Sequence, residues 1–148
     1  EESYGVLAEG ELIYAARCAS CHGATGAGGV GPGFTTGDLV TVFPKVSEQV
    51  NWIIKGSDGF GLGNAYGEGR IVNGGMPGWG DVLTAKELLG VSLYERGVLG
   101  GSTEAIAMAE AIDHAIEGGT IAFPEYFDPT AVTVEELREL LAPLAGDH

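Results

Sequence analysis

Basic residues are scarce in this chain: 7 Lys and Arg stand against 21 Asp and Glu in 148 residues, for a formal net charge of -14. A surface of that sign repels nucleic-acid phosphates and anionic lipid headgroups, which argues against both as partners. No apolar run is long enough to span a membrane, and the first residues show no basic-then-apolar signal-peptide pattern. The start at Glu1-Glu2 reads as that of a processed mature chain, which leaves room for a removed signal or anchor. Repeats and clear strand alternation are absent from the sequence. Sulfur and imidazole donors are few, with 2 cysteines, 2 methionines and 3 histidines, so any grouping among them carries information.

Glycine is plentiful, at 26 residues, ten of them between Gly56 and Gly80. No collagen-like period appears, and 45% of the chain is apolar, so the composition is that of a folded domain and not of a linker. Glycine-rich loops in an apolar domain suggest backbone packed closely against something large and flat. Residues 6–20 read as a helix, with Gly10, Tyr14 and Cys18 along one face at four-residue spacing. A glycine-rich loop over 23–44 is closed by Pro44. Ser47 is placed to cap a short helix ended by Gly56, and a long loop runs from Ser57 to about Asp81. Thr84 and Glu87 form a capping box opening a helix through Val98, halted by Gly100-Gly101. Beyond that pair, 102–117 is an alanine-rich helix, and a second capping box, Thr133 with Glu136, opens a last helix with a leucine stripe. The fold class is mainly α.

The two cysteines stand in Cys18-Ala-Ser-Cys21-His22. Two thiols three residues apart match the two vinyl groups along one side of a porphyrin, and the adjacent imidazole then turns toward the iron. A zinc site needs two more ligands, and His114 and His148 form no paired motif with it. A thioredoxin-type pair expects a βαβ setting, and a structural disulfide leaves the histidine unexplained. The pattern therefore indicates haem c, attached through Cys18 and Cys21 and ligated by His22. Haem iron in electron carriers is often held by histidine and methionine. Met76, in the turn-rich Asn73-Gly-Gly-Met-Pro-Gly-Trp79, suits the sixth position better than Met108, which has core spacing on a helix.

With these elements in order, the chain resembles a class I, mono-haem cytochrome c over residues 4–99. Gly10 with Tyr14 matches the family's small-then-aromatic pair on its first helix, and Leu93-Tyr94 the apolar-aromatic end of its last core helix. Gly31-Pro32 and Gly75-Met76-Pro77 match the segment after the haem motif and the methionine loop. The resemblance implies a small helical domain wrapped around one covalent haem, with the first and last core helices crossing closely. It also implies that Pro32 accepts the axial imidazole N–H, which would fix the ring. An extracytoplasmic location, in a bacterial periplasm or at a cell surface, follows from the same likeness. The stretch Ser57–Gly75 is richer in glycine than the family pattern, and the likeness is silent on the 48 residues after Gly100.

Trp52, Tyr66 and Arg70 are candidates to face the haem propionates, each with an ordinary packing or surface role as the alternative. Trp79 is placed to pack on the porphyrin or to fix the methionine loop, and Arg17 to flank an exposed haem edge. Two units are expected: 1–100 as the cytochrome domain and 101–148 as an acidic helical extension, packed on the core or on a partner. Residues 1–100 hold 11 acidic and 6 basic groups, giving -5, and 101–148 hold 10 and 1, giving -9. The expected activity is one-electron transfer between redox proteins, with a basic docking surface on the partner. The other readings are a haem-bearing subunit of a respiratory or photosynthetic membrane complex and, last, a haem enzyme with an open sixth site.

Overall fold

The computed structural model describes residues 5–28, 33, 38–61, 63–67, 70–71 and 76–144, with the backbone alone at 20, 21, 38, 58, 65, 66, 70 and 71. The chain is mainly helical. Helix α1 (Gly5–Ile13) passes into a π-helical turn (Tyr14–Cys18) and α2 (Ala19–His22). Helices α3 (Asp38–Val42) and α4 (Val46–Phe60) follow. After a two-stranded antiparallel ladder, β1 (Ala65–Gly67) with β2 (Arg70–Ile71), come α5 (Ala85–Leu93) and a second π-helical turn (Tyr94–Leu99). Helices α6 (Thr103–Glu117) and α7 (Val134–Leu141) lie beyond.

The expected crossing is present and uses two glycines. Both Gly10 on α1 and Gly90 on α5 are buried, and a Cβ on Gly10 would run into the Gly90 carbonyl and approach Tyr94 Cβ to 3.0 Å. A Cβ on Gly90 would lie 2.6 Å from the Val6 carbonyl oxygen. The backbones therefore meet without intervening side chains. Below the crossing, the Tyr14 and Tyr94 rings pack at 5.6 Å between centroids, tilted by 47°.

Several local expectations are corrected. Helix α3 occupies part of the presumed 23–44 loop, and the short ladder interrupts the presumed 57–81 loop. Ser47 does not cap α4. Lys45 takes the cap position, and its N–H donates to Glu48 Oε1 at 3.0 Å. Ser47 lies inside the helix with its hydroxyl buried. Gly56 bends α4 instead of ending it: its φ of 65° breaks the helical path, and the chain resumes to Phe60. Thr84 and Thr133 cap α5 and α7 as their boxes predict, each reciprocated by the glutamate three residues on.

Residues beyond 100 enter the same core. Ala105, Met108 and Ile112 of α6, with Leu137, Leu141 and Leu144 at the C-terminal end, share one buried apolar cluster with Val50, Ile54 and Leu88. Met108 is 1% exposed, the packing role that its spacing indicates. Asp113 of α6 accepts the Val6 N–H at 3.0 Å, satisfying an otherwise orphaned donor of the first turn of α1.

Candidate functional site

A second apolar cluster gathers Tyr14, Cys18, Leu39, Val42, Phe43 and Val91, with Trp52 and Tyr94 half-buried against it. Cys18 closes the first π-helical turn and is buried. His22, half-buried, ends α2 at Gly23, whose φ of 88° turns the chain away. The Tyr14 hydroxyl donates to the Gly23 carbonyl at 2.7 Å, and Gly28 N–H donates to the His22 carbonyl at 2.8 Å. These two bonds hold the turn carrying the imidazole. Burial, reinforced by the field of Glu95, Cys18 and Tyr94, pushes the Tyr14 phenol well above its ordinary pKa, so it stays a neutral donor.

The methionine segment is fastened to the bent end of α4. At Gly56 the helix opens, and a Cβ there would sit 2.5–2.7 Å from backbone atoms of Gly78, Pro77 and Met76. The Ile53 and Ile54 carbonyls accept from Trp79 N–H at 2.9 Å and Gly80 N–H at 3.1 Å. Ser57 grips Met76 from both sides. Its N–H and its hydroxyl both donate to the Met76 carbonyl at 2.9 Å, and its Oγ lies 3.1 Å from the Met76 N–H. One turn back, the Trp52 indole N–H donates to Met76 Sδ at 3.1 Å, and the Trp52 ring stacks edge-on to Phe60 at 5.2 Å. The thioether is thus held by an aromatic N–H that shares an apolar wall with Cys18.

The two halves of the candidate ligand set meet through a cation–π contact. The guanidinium of Arg17, next to Cys18, lies 5.5 Å from the centroid of the Trp79 ring, three residues after Met76. Trp79 also fixes the loop through its backbone: its carbonyl accepts from Val82 and Leu83. Of the residues expected from sequence, Cys18, His22, Trp52, Met76 and Trp79 are described with their side chains. Cys21 is seen as backbone in α2, and Tyr66 and Arg70 as backbone in β1 and β2. Gly31, Pro32, Gly75 and His148 lie outside the described residues. His114 is exposed on α6.

Ser57 was not foreseen as a site residue; its only local sign is its place directly after the glycine that bends the helix. Also missed was a buried polar group behind the second cluster. Glu95, 4% exposed, accepts from Gln49 Nε2 at 2.9 Å. Arg96, 3% exposed, donates to the Phe43 and Pro44 carbonyls and to Gln49 Oε1.

The Cys18 thiol and the His22 imidazole on one short helical arm, and the Met76 thioether in the segment that reaches this arm through Trp79 and Arg17, are of the donor types that fit a covalently held haem. Among the described residues no group of three or more His, Cys, Asp and Glu side chains is placed to hold a bare metal ion. Among them too, no helix is long and apolar enough to cross a membrane. The family model described as cytochrome c oxidase, cbb3-type, subunit III matches residues 5–94. No curated protein and no solved structure matches the chain.

Proposed function

From the chain's membership of the cbb3-type cytochrome c oxidase subunit III family, a family of c-type cytochrome domains, we propose that it is a one-electron transfer protein with a single haem c ligated by His22 and Met76. Cys18 and Cys21 would hold the haem through two thioether bonds. Haem c, when bound, supplies reversible one-electron chemistry at its iron. The residues of the chain do the rest. Tyr14 and the Gly28 N–H keep the His22 turn in place, and Trp52 and Ser57 orient the Met76 sulfur. The apolar side chains around Cys18 would keep water from a haem held there and so would bear on its potential.

The observation that carries this reading is the approach of the Cys18 arm to the methionine segment through Arg17 and Trp79, with Trp52 already on the sulfur. With both His22 and Met76 as ligands the iron would have no open position for substrate, so a carrier is favoured over an enzyme. In purified holoprotein we expect pigment that survives acidified organic solvent and a ferric sulfur-to-iron charge-transfer band. Met76→Ala should lose that band and let the ferrous form bind carbon monoxide rapidly. Retention of the band in Met76→Ala would remove Met76 from the iron, and extractable pigment would remove the covalent link.

The family description favours a second placement, as a haem-bearing subunit of a respiratory complex on the extracytoplasmic side of a membrane. Co-migration with haem-copper oxidase activity on native gels of solubilised membranes would support that placement. Migration as a small free species would support a diffusing carrier between redox proteins.

A further inference from the structure

The methionine segment has two flanks. Along one it is tied to the bent end of α4, through the Ile53 and Ile54 carbonyls and Ser57. That anchor lies at the bend of α4 at Gly56, where the helical ladder is interrupted, and Pro77 and Gly78 are exposed. An interrupted helical ladder beside an exposed turn is a place where local opening can begin.

The C-terminal end of the segment, at Gly80, and the start of α5 pack against the chain beyond α6. The Glu125 carbonyl accepts the Ala85 N–H at 2.9 Å, at the start of the helix that follows the methionine segment. Phe127 and Val132 are buried in the cluster that holds Ile53, Ile54 and Leu83, with Met76 and Trp79 packed against it. Pro129 lies over Gly80: a Cβ on Gly80 would be 2.6 Å from Ile54 Cγ2 and 3.1 Å from Pro129 Cβ. Helix α4, the methionine segment and the C-terminal chain therefore meet at a residue with no side chain. The crossing is itself rigid, because Asp128 accepts from the N–H and hydroxyl of Thr130 at 3.0 and 2.8 Å, and its carbonyl from Val132 N–H at 2.9 Å. Beyond it, Leu137, Leu141 and Leu144 are buried along α4, and Arg138 reaches Glu48 at 3.8 Å.

We propose that residues 120–144 form a strap that clamps the Met76 segment against α4, with Phe127, Pro129 and Val132 as positioning residues for the thioether. The proposal rests on the assignment of Met76 as a ligand. Its chemical sense lies in the softness of the thioether, which holds the harder ferric ion less firmly than the ferrous one. Loss of sulfur is then the weak point of the oxidised protein, and a loop clamped on both flanks opposes it.

The test uses holoprotein in two forms: full-length Phe127→Ala/Pro129→Ala, and a chain ending at Gly119. Both should keep the covalent haem. In the point variant the ferric charge-transfer band should vanish at lower denaturant than in wild type, and ferrous carbon monoxide uptake should rise by about tenfold. Exchange of the Trp79 and Gly80 amides should also rise by about tenfold relative to the Leu88–Leu93 amides of α5, the signature of local opening. The shortened chain should show the same changes more strongly; should it fail to fold, the point variant decides alone. Unchanged band, uptake and exchange overturn the strap, as does a uniform rise in exchange across α5, which marks general destabilisation. A band that persists in full-length Met76→Ala fails the ligand assignment instead, a result the strap variants cannot mimic.

Discussion

Glu95 lies in the π-helical turn after α5, buried, with Gln49 Nε2 donating to it. Removing a carboxylate from water without a full complement of donors favours its neutral form. Burial accordingly pushes the Glu95 carboxyl up to about 8, with the Gln49 hydrogen bond pulling the other way. The unfolded chain loses this proton near 4.5, so between the two values the native state holds a proton that the unfolded state has released. Folding stability therefore falls as pH rises from about 5 to about 8, and this contribution is flat on either side. The slope from this one group is at most about 1.4 kcal/mol per pH unit. Glu95→Gln keeps an acceptor for Gln49 and removes the titration. Urea midpoints measured across that window should decline less in the variant than in wild type, and near the upper end the variant should be the more stable. Parallel declines would mean that Glu95 is ionised inside the fold. Nothing in the sequence singled out this residue: a glutamate beside an arginine, after an apolar helix, has the look of a solvated face. The Cys18–His22 motif lies at the other extreme, because the haem-attachment reading proposed for it rests on five consecutive residues and needs no fold to be read.

Among the elements, the α1–α5 crossing is the one whose failure should be most costly. Valine at position 10 would drive its branches into the Gly90 carbonyl and Tyr94, and neither backbone can move without separating Tyr14 from Tyr94. Overpacking of this kind costs about 3 kcal/mol, which corresponds to a fall in Tm of roughly 6–12 °C for a chain of this size. Scanning calorimetry of Gly10→Val holoprotein should show it, whereas Leu12→Val, at an exposed site, should stay within about 2 °C. Gly10 was legible through the cytochrome c resemblance, as the small residue before Tyr14; its partner Gly90 was not, because only the approach of a second helix gives it meaning. The same division runs through the caps. Thr84 with Glu87 and Thr133 with Glu136 are local bargains between neighbours, so sequence alone places them. At the start of α4, Ser47 has the better intrinsic capping chemistry, yet Lys45 takes the cap position, because Glu48 closes back on the Lys45 N–H. Gly56 carries the usual sign of a helix end, and whether the chain stops or bends there depends on the methionine segment, which takes the carbonyls the bend releases. Both π-helical turns were invisible in the sequence, having no composition of their own.

At the scale of the whole molecule, charge is distributed more unevenly than apolar surface. The residues after Gly100 contribute -9 of the net -14, yet their apolar side chains are shared with the main core. Side chains carrying that charge face outward: Glu110 and Glu117 on α6 and Glu135 and Glu139 on α7 are exposed. A redox protein presenting a basic surface would feel this field well before contact, and such steering raises association rates by about 10 to 1,000-fold, decreasingly as salt is added. Replacing those four glutamates by glutamine leaves Phe127, Pro129 and Val132 in place, so the haem spectrum should not change. Stopped-flow reduction of a small basic redox protein should then slow by roughly three- to tenfold at low ionic strength. The two rates should converge once the Debye length falls to about 3 Å, near 1 M salt. Equal rates at every salt concentration would leave these glutamates with solubility as their only role. A slower rate that persists at high salt would instead trace the loss to the electron-transfer step, since screening removes an effect on encounter and leaves one on the haem pocket untouched.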